Sequence, residues 1–223
     1  MIVYGASLSP FVRKVLAFAA EKGIEVESRP VDFRNKSAEF LEASPFGKIP
    51  GFRDPGSGSG AGGEDFCISD SSAIIHYLEK VKPEPNLIPS DPKAGARAIW
   101  YDEFADTILT ACGGKIVFNR LVGPRFLGQP GDEEVARKAE CDELPPLLDY
   151  LEKVIPDSGF LVEDRLTLAD ISIASPFATL GHAGTGIDGG RNPRLKAYVE
   201  AILARPSFAP LVAREKAFLS QAA

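Results

Sequence analysis

Three short stretches of this sequence carry groups that could bind a charged ligand. Ser9-Pro10 follows a short apolar run and is a favourable helix start, so the Ser9 hydroxyl either caps that helix or acts as a reagent. Ile49-Pro50 precedes a strand pattern, where the proline is either an ordinary edge proline or a cis proline that holds the preceding backbone toward a ligand. Asp70-Ser71 either caps the next helix or receives an ammonium and carboxylate pair.

Other kinds of chemistry find little support in the sequence. His76 and His182 lack the spacing of metal ligands, so no metal site and no histidine-based mechanism is expected. The glycine-rich stretch 54–65 is followed by no GK[ST] sequence, so it predicts a mobile loop and not a phosphate-binding loop. Three widely spaced cysteines predict free thiols in a reducing compartment and neither a disulfide framework nor a CxxC motif: Cys67, Cys112 and Cys141.

The composition is that of a folded protein whose main partner is a small molecule. The chain has 223 residues, of which 44% are hydrophobic and 25% charged, which is typical of globular proteins. A net charge of −6 and the absence of long basic runs argue against nucleic acid or an anionic membrane surface as the main partner. The N-terminal segment lacks the pattern of a signal peptide, and no long apolar run predicts a membrane span, so we expect a cytoplasmic protein.

The first 80 residues predict alternating strands and helices. A short β-prone run is followed by apolar residues at helical spacing up to Lys22-Gly23. Pro30 lies inside the next strand pattern and predicts a strand at the edge of a sheet, because proline cannot donate to a ladder. The predicted order continues with these elements: a helix over Ser37–Ala43, a turn over Ser44–Gly47, strands over Ile49–Arg53 and Phe66–Ser69, and a helix over 73–80.

A proline-rich stretch separates this part from a helical one. The composition of residues 81–92 is that of a linker, which predicts domains over 1–80 and 93–223. Apolar residues recur at helical spacing through most of the second part. Thr167-Leu168-Ala169-Asp170 predicts a helix start with a capping box, and Pro145-Pro146 predicts a kink or a break in the helix that contains it.

The order of these elements is that of a thioredoxin-like domain, in which the three candidate loops meet at one edge of the sheet. With the helical part, the sequence resembles the cytosolic glutathione transferases over nearly its whole length. The resemblance therefore implies an α/β thioredoxin-like N-terminal domain and an all-α C-terminal domain, and the SPF, NKS and GKIP sequences are most similar to the serine-type tau and zeta classes. The resemblance to the family rests on these stretches: SPFVRKVLAFAAEKGI, NKSAEFLEASPFGKIP, SDSSAIIHYLEK, TLADISIA and NPRLKAYVEAILARPSF.

The resemblance implies a role for individual residues. The serine that donates a hydrogen bond to the glutathione sulfur matches Ser9, with Ser7 as the fallback, whereas Tyr4 matches the strand-one tyrosine that other classes use and is the weaker candidate. The backbone of Ile49, before the cis proline, would pair with the cysteinyl unit. Lys36 and Lys48 would lie beside the glycine carboxylate, and Asp70 and Ser71 would hold the γ-glutamyl group. The residues implied to bind glutathione are therefore Phe11, Lys36, Lys48, Ile49, Pro50, Asp70 and Ser71.

The chemistry of a thiol agrees with the role implied for Ser9. A free thiol has a pKa of about 8.5, so only a few per cent is thiolate at neutral pH. A serine hydroxyl stabilises the thiolate by donating a hydrogen bond, and a helix N-terminus adds roughly half a positive charge. The predicted role of Ser9 is therefore hydrogen-bond donor, and serine instead of cysteine at this position points to addition or substitution by glutathione and not to disulfide exchange.

The second substrate and the assembly are expectations of the same resemblance. We expect transfer of glutathione to a small hydrophobic electrophile held between the two domains, in a homodimer. Two alternatives stay open: a zeta-like isomerase that regenerates glutathione, and a non-catalytic binding or regulatory protein of the same fold. The long loop 54–65 and Gly51 depart from the family pattern and leave the class open. Candidate walls of the electrophile pocket are aromatic: Phe11, Trp100, Tyr101, Phe104 and Phe218.

Overall fold

The first part of the chain is built on a four-stranded mixed sheet. A computed structural model describes residues 1–56 and 64–221. The strands lie in the order β2-β1-β3-β4, with β1 parallel to β2 and antiparallel to β3, and with β3 antiparallel to β4. The predicted loop 54–65 lies partly outside the described residues. The strands are β1 (Ile2–Tyr4), β2 (Glu27–Arg29), β3 (Gly51–Asp54) and β4 (Phe66–Ser69).

Three helices accompany this sheet. Helix α1 (Pro10–Glu21) buries an almost continuous run from Val12 to Ala19, so its packing and not a narrow apolar stripe holds it in place. Ser37 caps the short helix α2 (Ala38–Ala43) by accepting a hydrogen bond from the Phe40 amide at 3.2 Å. Helix α3 spans Ser71–Val81. The predicted thioredoxin-like domain is confirmed.

Strand β2 lies at the edge of the sheet, as Pro30 predicted. The strand is shorter than the pattern over 25–32 indicated, because pairing covers only Glu27–Arg29. Pro30 follows directly and has no N–H to donate, so the ladder ends there.

The second part of the chain is helical, which confirms the predicted class. The structure divides into two compact units, Met1–Leu87 and Ile88–Ala223, and this division falls within the predicted linker 81–92. Helix α8 is buried along most of its length and packs against α4, α5 and α9. The helices of this unit are α4 (Pro92–Glu103), α5 (Thr110–Val117), α6 (Glu133–Lys138), α7 (Leu144–Val154), α8 (Leu168–His182), α9 (Pro193–Leu203) and α10 (Ala209–Gln221).

Three π-helical segments join some of these helices, and the sequence patterns did not predict them. They span Phe104–Leu109, Phe118–Leu127 and Ala139–Glu143. No loop breaks the chain at Pro145-Pro146, because helical segments follow one another from Glu133 to Val154, and the irregularity there is the change from the π-helical segment Ala139–Glu143 to α7. The two prolines lie in the first turn of α7 and have no N–H to donate to the π-helical turn before them.

The described residues contain no helix long and apolar enough to cross a membrane.

The predicted helix start at Thr167 is confirmed and extends into a buried hydrogen-bond network. The Asp170 carboxylate accepts a hydrogen bond from the Thr167 amide at 2.9 Å, which is half of a capping box. Its other oxygen accepts from the Leu161 amide and from the Tyr198 hydroxyl, both at 2.9 Å. Burial raises the pKa of Asp170, while these hydrogen bonds oppose the rise. One carboxylate therefore joins α8, α9 and the loop before α8.

A buried ion pair anchors the end of the first unit. Lys22, just after α1, donates a hydrogen bond to Glu79 of α3 at 2.7 Å, and both side chains are almost inaccessible. The same ammonium donates to the carbonyls of Pro83 and Pro85 at 3.0 and 2.7 Å. Glu79 in turn accepts from the Leu87 amide at 3.2 Å. The pair therefore ties the proline-rich segment to both helices.

Replacing Lys22 is expected to destabilise the protein strongly. Lys22→Met leaves the Glu79 carboxylate buried without its ammonium partner, which costs about 3–5 kcal/mol of unfolding free energy. Denaturant unfolding of the full chain measures this loss. The double variant Lys22→Met/Glu79→Gln removes the stranded charge and should recover part of it; a double variant no more stable than Lys22→Met would contradict this explanation.

Candidate active site

The sheet register brings the three predicted loops to one end of the sheet. Tyr4, the last residue of β1, pairs with Gly51, the first residue of β3, and Gly51 pairs with Ser69, the last residue of β4. The chain therefore leaves β1 toward Ser9, enters β3 from the Ile49-Pro50 peptide, and leaves β4 toward Asp70 in the same row. The three segments start from neighbouring positions because these strands are antiparallel neighbours.

Gly5 allows two of these segments to approach closely. Its φ is +133°, and a Cβ atom built there would lie 2.6 Å from a methyl carbon of Val12 and 3.1 Å from the Cβ of Ile49. A side chain at this position is excluded both by the space and by the backbone conformation. The missing side chain lets the segment that leads to Ser9 pack against Ile49.

Ser9 is the N-cap residue of α1, as predicted, but its side chain does not cap the helix. Its backbone is extended, with φ −72° and ψ 128°, and its carbonyl accepts the first helical hydrogen bond from Arg13 at 2.9 Å. Its half-buried hydroxyl makes no capping hydrogen bond. Ser7, the fallback, is also half-buried. The Ser9 hydroxyl therefore sits at the positive end of α1, and no capping hydrogen bond fixes its orientation.

The Ile49–Pro50 peptide bond is cis, as predicted. Pro50 is buried and Ile49 is partly buried, whereas Lys48 is exposed. The Glu84–Pro85 bond is also cis, and nothing in the sequence analysis distinguished it.

The two predicted lysines belong to this segment of the site. The Lys36 ammonium lies over Gly47, where a Cβ atom would come within 2.5 Å of it. Gly47 has φ +65°, so a glycine is needed there for the backbone as well. Lys36 and Lys48 are exposed and leave a positively charged surface beside the cis peptide.

Asp70 caps α3 with one of its two carboxylate oxygens. Its Oδ1 accepts hydrogen bonds from the amides of Ser72 and Ala73 at 3.0 and 3.1 Å, which confirms the predicted cap. Within the described part of the chain no hydrogen bond uses Oδ2. Asp70 has φ +86°, a conformation that is rare outside glycine and is concentrated at binding sites. Ser71, the other predicted contact, is buried in the first turn of α3.

Lys14 is a residue near this site that the sequence analysis did not single out. Its buried ammonium donates a hydrogen bond to the Ser72 hydroxyl at 3.3 Å, in the first turn of α3. The available signal was a lysine within the buried face of α1, where an apolar residue is the rule. Lys14 adds positive charge next to the residues predicted to hold the γ-glutamyl group.

Tyr4, the weaker donor candidate, packs on the α2 side of the sheet. Its ring lies 6.0 Å from that of Phe40, and its hydroxyl is buried beside the guanidinium of Arg53. Burial raises the pKa of the phenol, so it stays protonated. Tyr4 also lines a cavity of about 240 Å³ between β2 and α2, which none of the other predicted site residues lines.

The predicted aromatic walls divide into separate groups. Trp100 and Phe104 gather around Tyr150: the Phe104 and Tyr150 rings lie 5.3 Å apart, and the Trp100 indole donates to the Tyr150 hydroxyl at 3.3 Å. Burial, together with Tyr150, raises the pKa of Tyr101 to about 12. Phe218 stacks instead on Phe126 of a π-helical segment, with ring centroids 6.1 Å apart. Phe11 is half-buried in the first turn of α1, in the other unit.

Across 1–56 and 64–221, no group of three acidic, histidine or cysteine side chains could hold a metal ion. The three cysteines are free. His182 pairs with Glu215 at 2.8 Å, and His76 is exposed on α3.

A thioredoxin-like domain with a cis proline before its third strand, followed by a helical domain, defines the class of protein. A family model for the glutathione S-transferase N-terminal domain matches residues 3–86, and one for the C-terminal domain matches residues 125–214. Glutathione S-transferase 3 of Zea mays is 32% identical over 95% of this chain and 92% of its own length. Human glutathione S-transferase theta-2B is 32% identical over 86% of this chain and 77% of its own.

Solved structures agree with the sequence matches. Maize glutathione S-transferase I in complex with an atrazine glutathione conjugate has a TM-score of 0.80 and 26% identity, and the match covers 95% of this chain and 96% of that one. The chain belongs to the glutathione S-transferase family. The prediction of an enzyme of this family is therefore confirmed, while its class, its electrophile and the roles of single residues stay predictions.

Proposed function

We propose that this enzyme adds the thiolate of glutathione to a small hydrophobic electrophile, with Ser9 as the hydrogen-bond donor to the sulfur. The observation that carries the proposal is the Ser9 hydroxyl, which lies at the N-terminus of α1 and makes no capping hydrogen bond. A hydroxyl in this position stabilises the thiolate form of a bound thiol, because it donates to the anion where the helix dipole also favours negative charge.

The other proposed contacts bind the glycine carboxylate, the cysteinyl unit and the γ-glutamyl group of glutathione. The exposed ammonium groups of Lys36 and Lys48 suit its glycine carboxylate, and Phe11, Ile49 and Pro50 suit its cysteinyl unit. At the γ-glutamyl end, Asp70 Oδ2 suits the ammonium group. The N-terminus of α3 at Ser71 suits the carboxylate of the same unit.

The electrophile and the setting belong to the same proposal. The atrazine glutathione conjugate bound in the related maize enzyme supports a small hydrophobic electrophile. The proposed walls of the electrophile pocket in the helical unit are Trp100, Tyr101 and Phe104. Phe218, which stacks on Phe126, is a further proposed wall. We further propose that the enzyme is of the serine type, similar to the tau and zeta classes. It would work in the cytoplasm as a homodimer.

A titration of the bound thiol tests the proposed mechanism. Absorbance of the thiolate is followed against pH for glutathione alone and for glutathione with saturating enzyme. We expect a bound-thiol pKa at least one unit below the free value of about 8.5, since a charge-assisted hydrogen bond favours the anion by about 1.5–3 kcal/mol. An unshifted pKa of the bound thiol would contradict the proposal.

Product analysis then identifies the reaction. Aryl halides, isothiocyanates, peroxides and maleyl-type acids are incubated with glutathione and enzyme, and the products are separated. A stable glutathione conjugate supports the proposed transfer, whereas an isomer with glutathione regenerated would favour the isomerase. Absence of glutathione binding at millimolar concentration would favour a non-catalytic member of the family.

A further inference from the structure

Ser44 is a fully buried serine at the C-terminal end of α2, six positions before the cis proline. Its amide donates a hydrogen bond to the Phe40 carbonyl at 2.8 Å and so ends the helix. Its hydroxyl is not needed for that purpose. A buried hydroxyl costs free energy unless it is hydrogen-bonded, so its partners show what it does.

Both hydrogen bonds of the Ser44 hydroxyl go to the backbone of one residue, Lys48. The hydroxyl oxygen accepts from the Lys48 amide at 3.0 Å, and the hydroxyl donates to the Lys48 carbonyl at 2.7 Å. The Ser44 carbonyl accepts from the Gly47 amide at 2.8 Å. These three hydrogen bonds close residues 44–48 into one compact turn.

This turn determines how the next peptide group is oriented. A trans peptide is planar, and its C=O and N–H point in opposite directions. Because the Lys48 carbonyl is held toward the buried Ser44 hydroxyl, the Ile49 N–H of the same peptide points away from Ser44. Ile49 is also the residue whose backbone we propose to pair with the cysteinyl unit of glutathione. The orientation of that N–H thus depends on Ser44.

The same turn also carries the proposed carboxylate site. Gly47, whose amide bonds to the Ser44 carbonyl, lies beneath the Lys36 ammonium. Lys48 itself is the second lysine of that surface. A loosened turn would therefore displace the Ile49 amide and the positive charge together.

We propose that Ser44 is a positioning residue for glutathione: its hydroxyl holds the Lys48–Ile49 peptide so that the Ile49 N–H meets the cysteinyl unit. The inference rests on the proposed function. Ser44 acts on how tightly glutathione binds and not on the ionisation of its thiol, which is the role of Ser9. The two serines are therefore separable by experiment.

The test is the steady-state kinetics of Ser44→Ala, with the glutathione and electrophile concentrations varied independently. Without the two hydrogen bonds to Lys48 the Ile49 N–H is no longer held in one orientation, and KM for glutathione should rise roughly fivefold to thirtyfold. The kcat value should stay within about twofold of wild type, and the pKa of the bound thiol should stay within about 0.3 unit of wild type, because Ser9 is unchanged. Hydrogen exchange of the Lys48 amide should become faster.

Tyr77→Phe is a matched control in the same unit. The Tyr77 hydroxyl donates to the buried Asp54 carboxylate at 2.8 Å, at the far end of β3 from Gly51. Burial, with this hydrogen bond next in importance, raises the pKa of Tyr77 to about 12. The variant loses a half-buried, hydrogen-bonded hydroxyl of the same unit, so it should lose some stability while KM for glutathione stays unchanged.

Three results would overturn the inference. They are an unchanged KM in Ser44→Ala, an equal rise of KM in Tyr77→Phe, and a loss that appears in kcat alone. Ser44→Cys keeps the shape of the side chain, with a somewhat larger atom and a weaker hydrogen-bonding group. If Ser44→Ala does not fold, Ser44→Cys should show a smaller rise of KM in the same direction. Wild-type protein that binds no glutathione would contradict the proposed function itself, whereas wild-type binding with unaltered affinity in Ser44→Ala contradicts the inference alone.

Discussion

Ser9→Ala is expected to lower kcat/KM at neutral pH by about tenfold to hundredfold, because the thiolate loses a charge-assisted hydrogen bond. The pKa of the bound thiol then rises toward that of free glutathione. The deficit should be largest below the wild-type thiol pKa and shrink as pH increases, since at high pH the thiol is ionised in both proteins. Rate measurements from about pH 6 to pH 9.5 show this convergence.

Stability and the neighbouring serine provide the controls for Ser9→Ala. Loss of a serine cap normally costs about 1 kcal/mol of stability, but the Ser9 hydroxyl makes no capping hydrogen bond, so the melting temperature should change little. Ser7→Ala should keep nearly full activity. If Ser7→Ala has the large defect instead, Ser7 is the donor, and full activity in the double variant would refute a serine donor altogether.

Asp170→Ala is expected to cause the largest loss of stability in the helical unit, about 4 kcal/mol or more. The side chain is fully buried, and its removal leaves the amides of Leu161 and Thr167 and the hydroxyl of Tyr198 without their acceptor. Each unsatisfied buried donor costs about 1–3 kcal/mol. Denaturant unfolding of the full chain measures the loss.

Two further variants show whether the hydrogen bonds of Asp170 are responsible. Asp170→Asn keeps one carbonyl oxygen and replaces the other acceptor with a donor, so it should fall between wild type and Asp170→Ala. Asp142→Ala removes an exposed carboxylate and should change the unfolding free energy by less than about 0.5 kcal/mol. A loss below about 1 kcal/mol in Asp170→Ala would show that the network contributes little.

Features that depend on a few neighbouring residues were predicted correctly. The start of α1 at Pro10, the cap at Asp70 and the capping box at Thr167 all appear as expected. Each follows from a hydrogen bond or a dihedral preference within one turn of helix, which needs no information from elsewhere in the chain. Pro30 likewise placed β2 at an edge because its missing donor is a local property.

Features that depend on distant residues were missed. Lys22 and Glu79 are 57 positions apart, and nothing near either residue predicts that they form a buried ion pair. Lys14 similarly meets Ser72 across 58 positions. The Ser44 hydroxyl spans only four positions, but a turn in a sequence does not reveal that its serine is buried. Burial is set by packing, which periodicity alone does not determine.

The amino-acid sequence by itself determined the order of the elements, the family and the candidate residues of the site. Only the tertiary structure decided which residues pair in the strand register at that end of the sheet, that Tyr4 packs beside Phe40, and that Phe218 stacks on Phe126. The physical reason is the range of the interactions. Caps and periodicity act within a few residues, whereas strand register and side-chain packing join residues that the chain brings together only on folding.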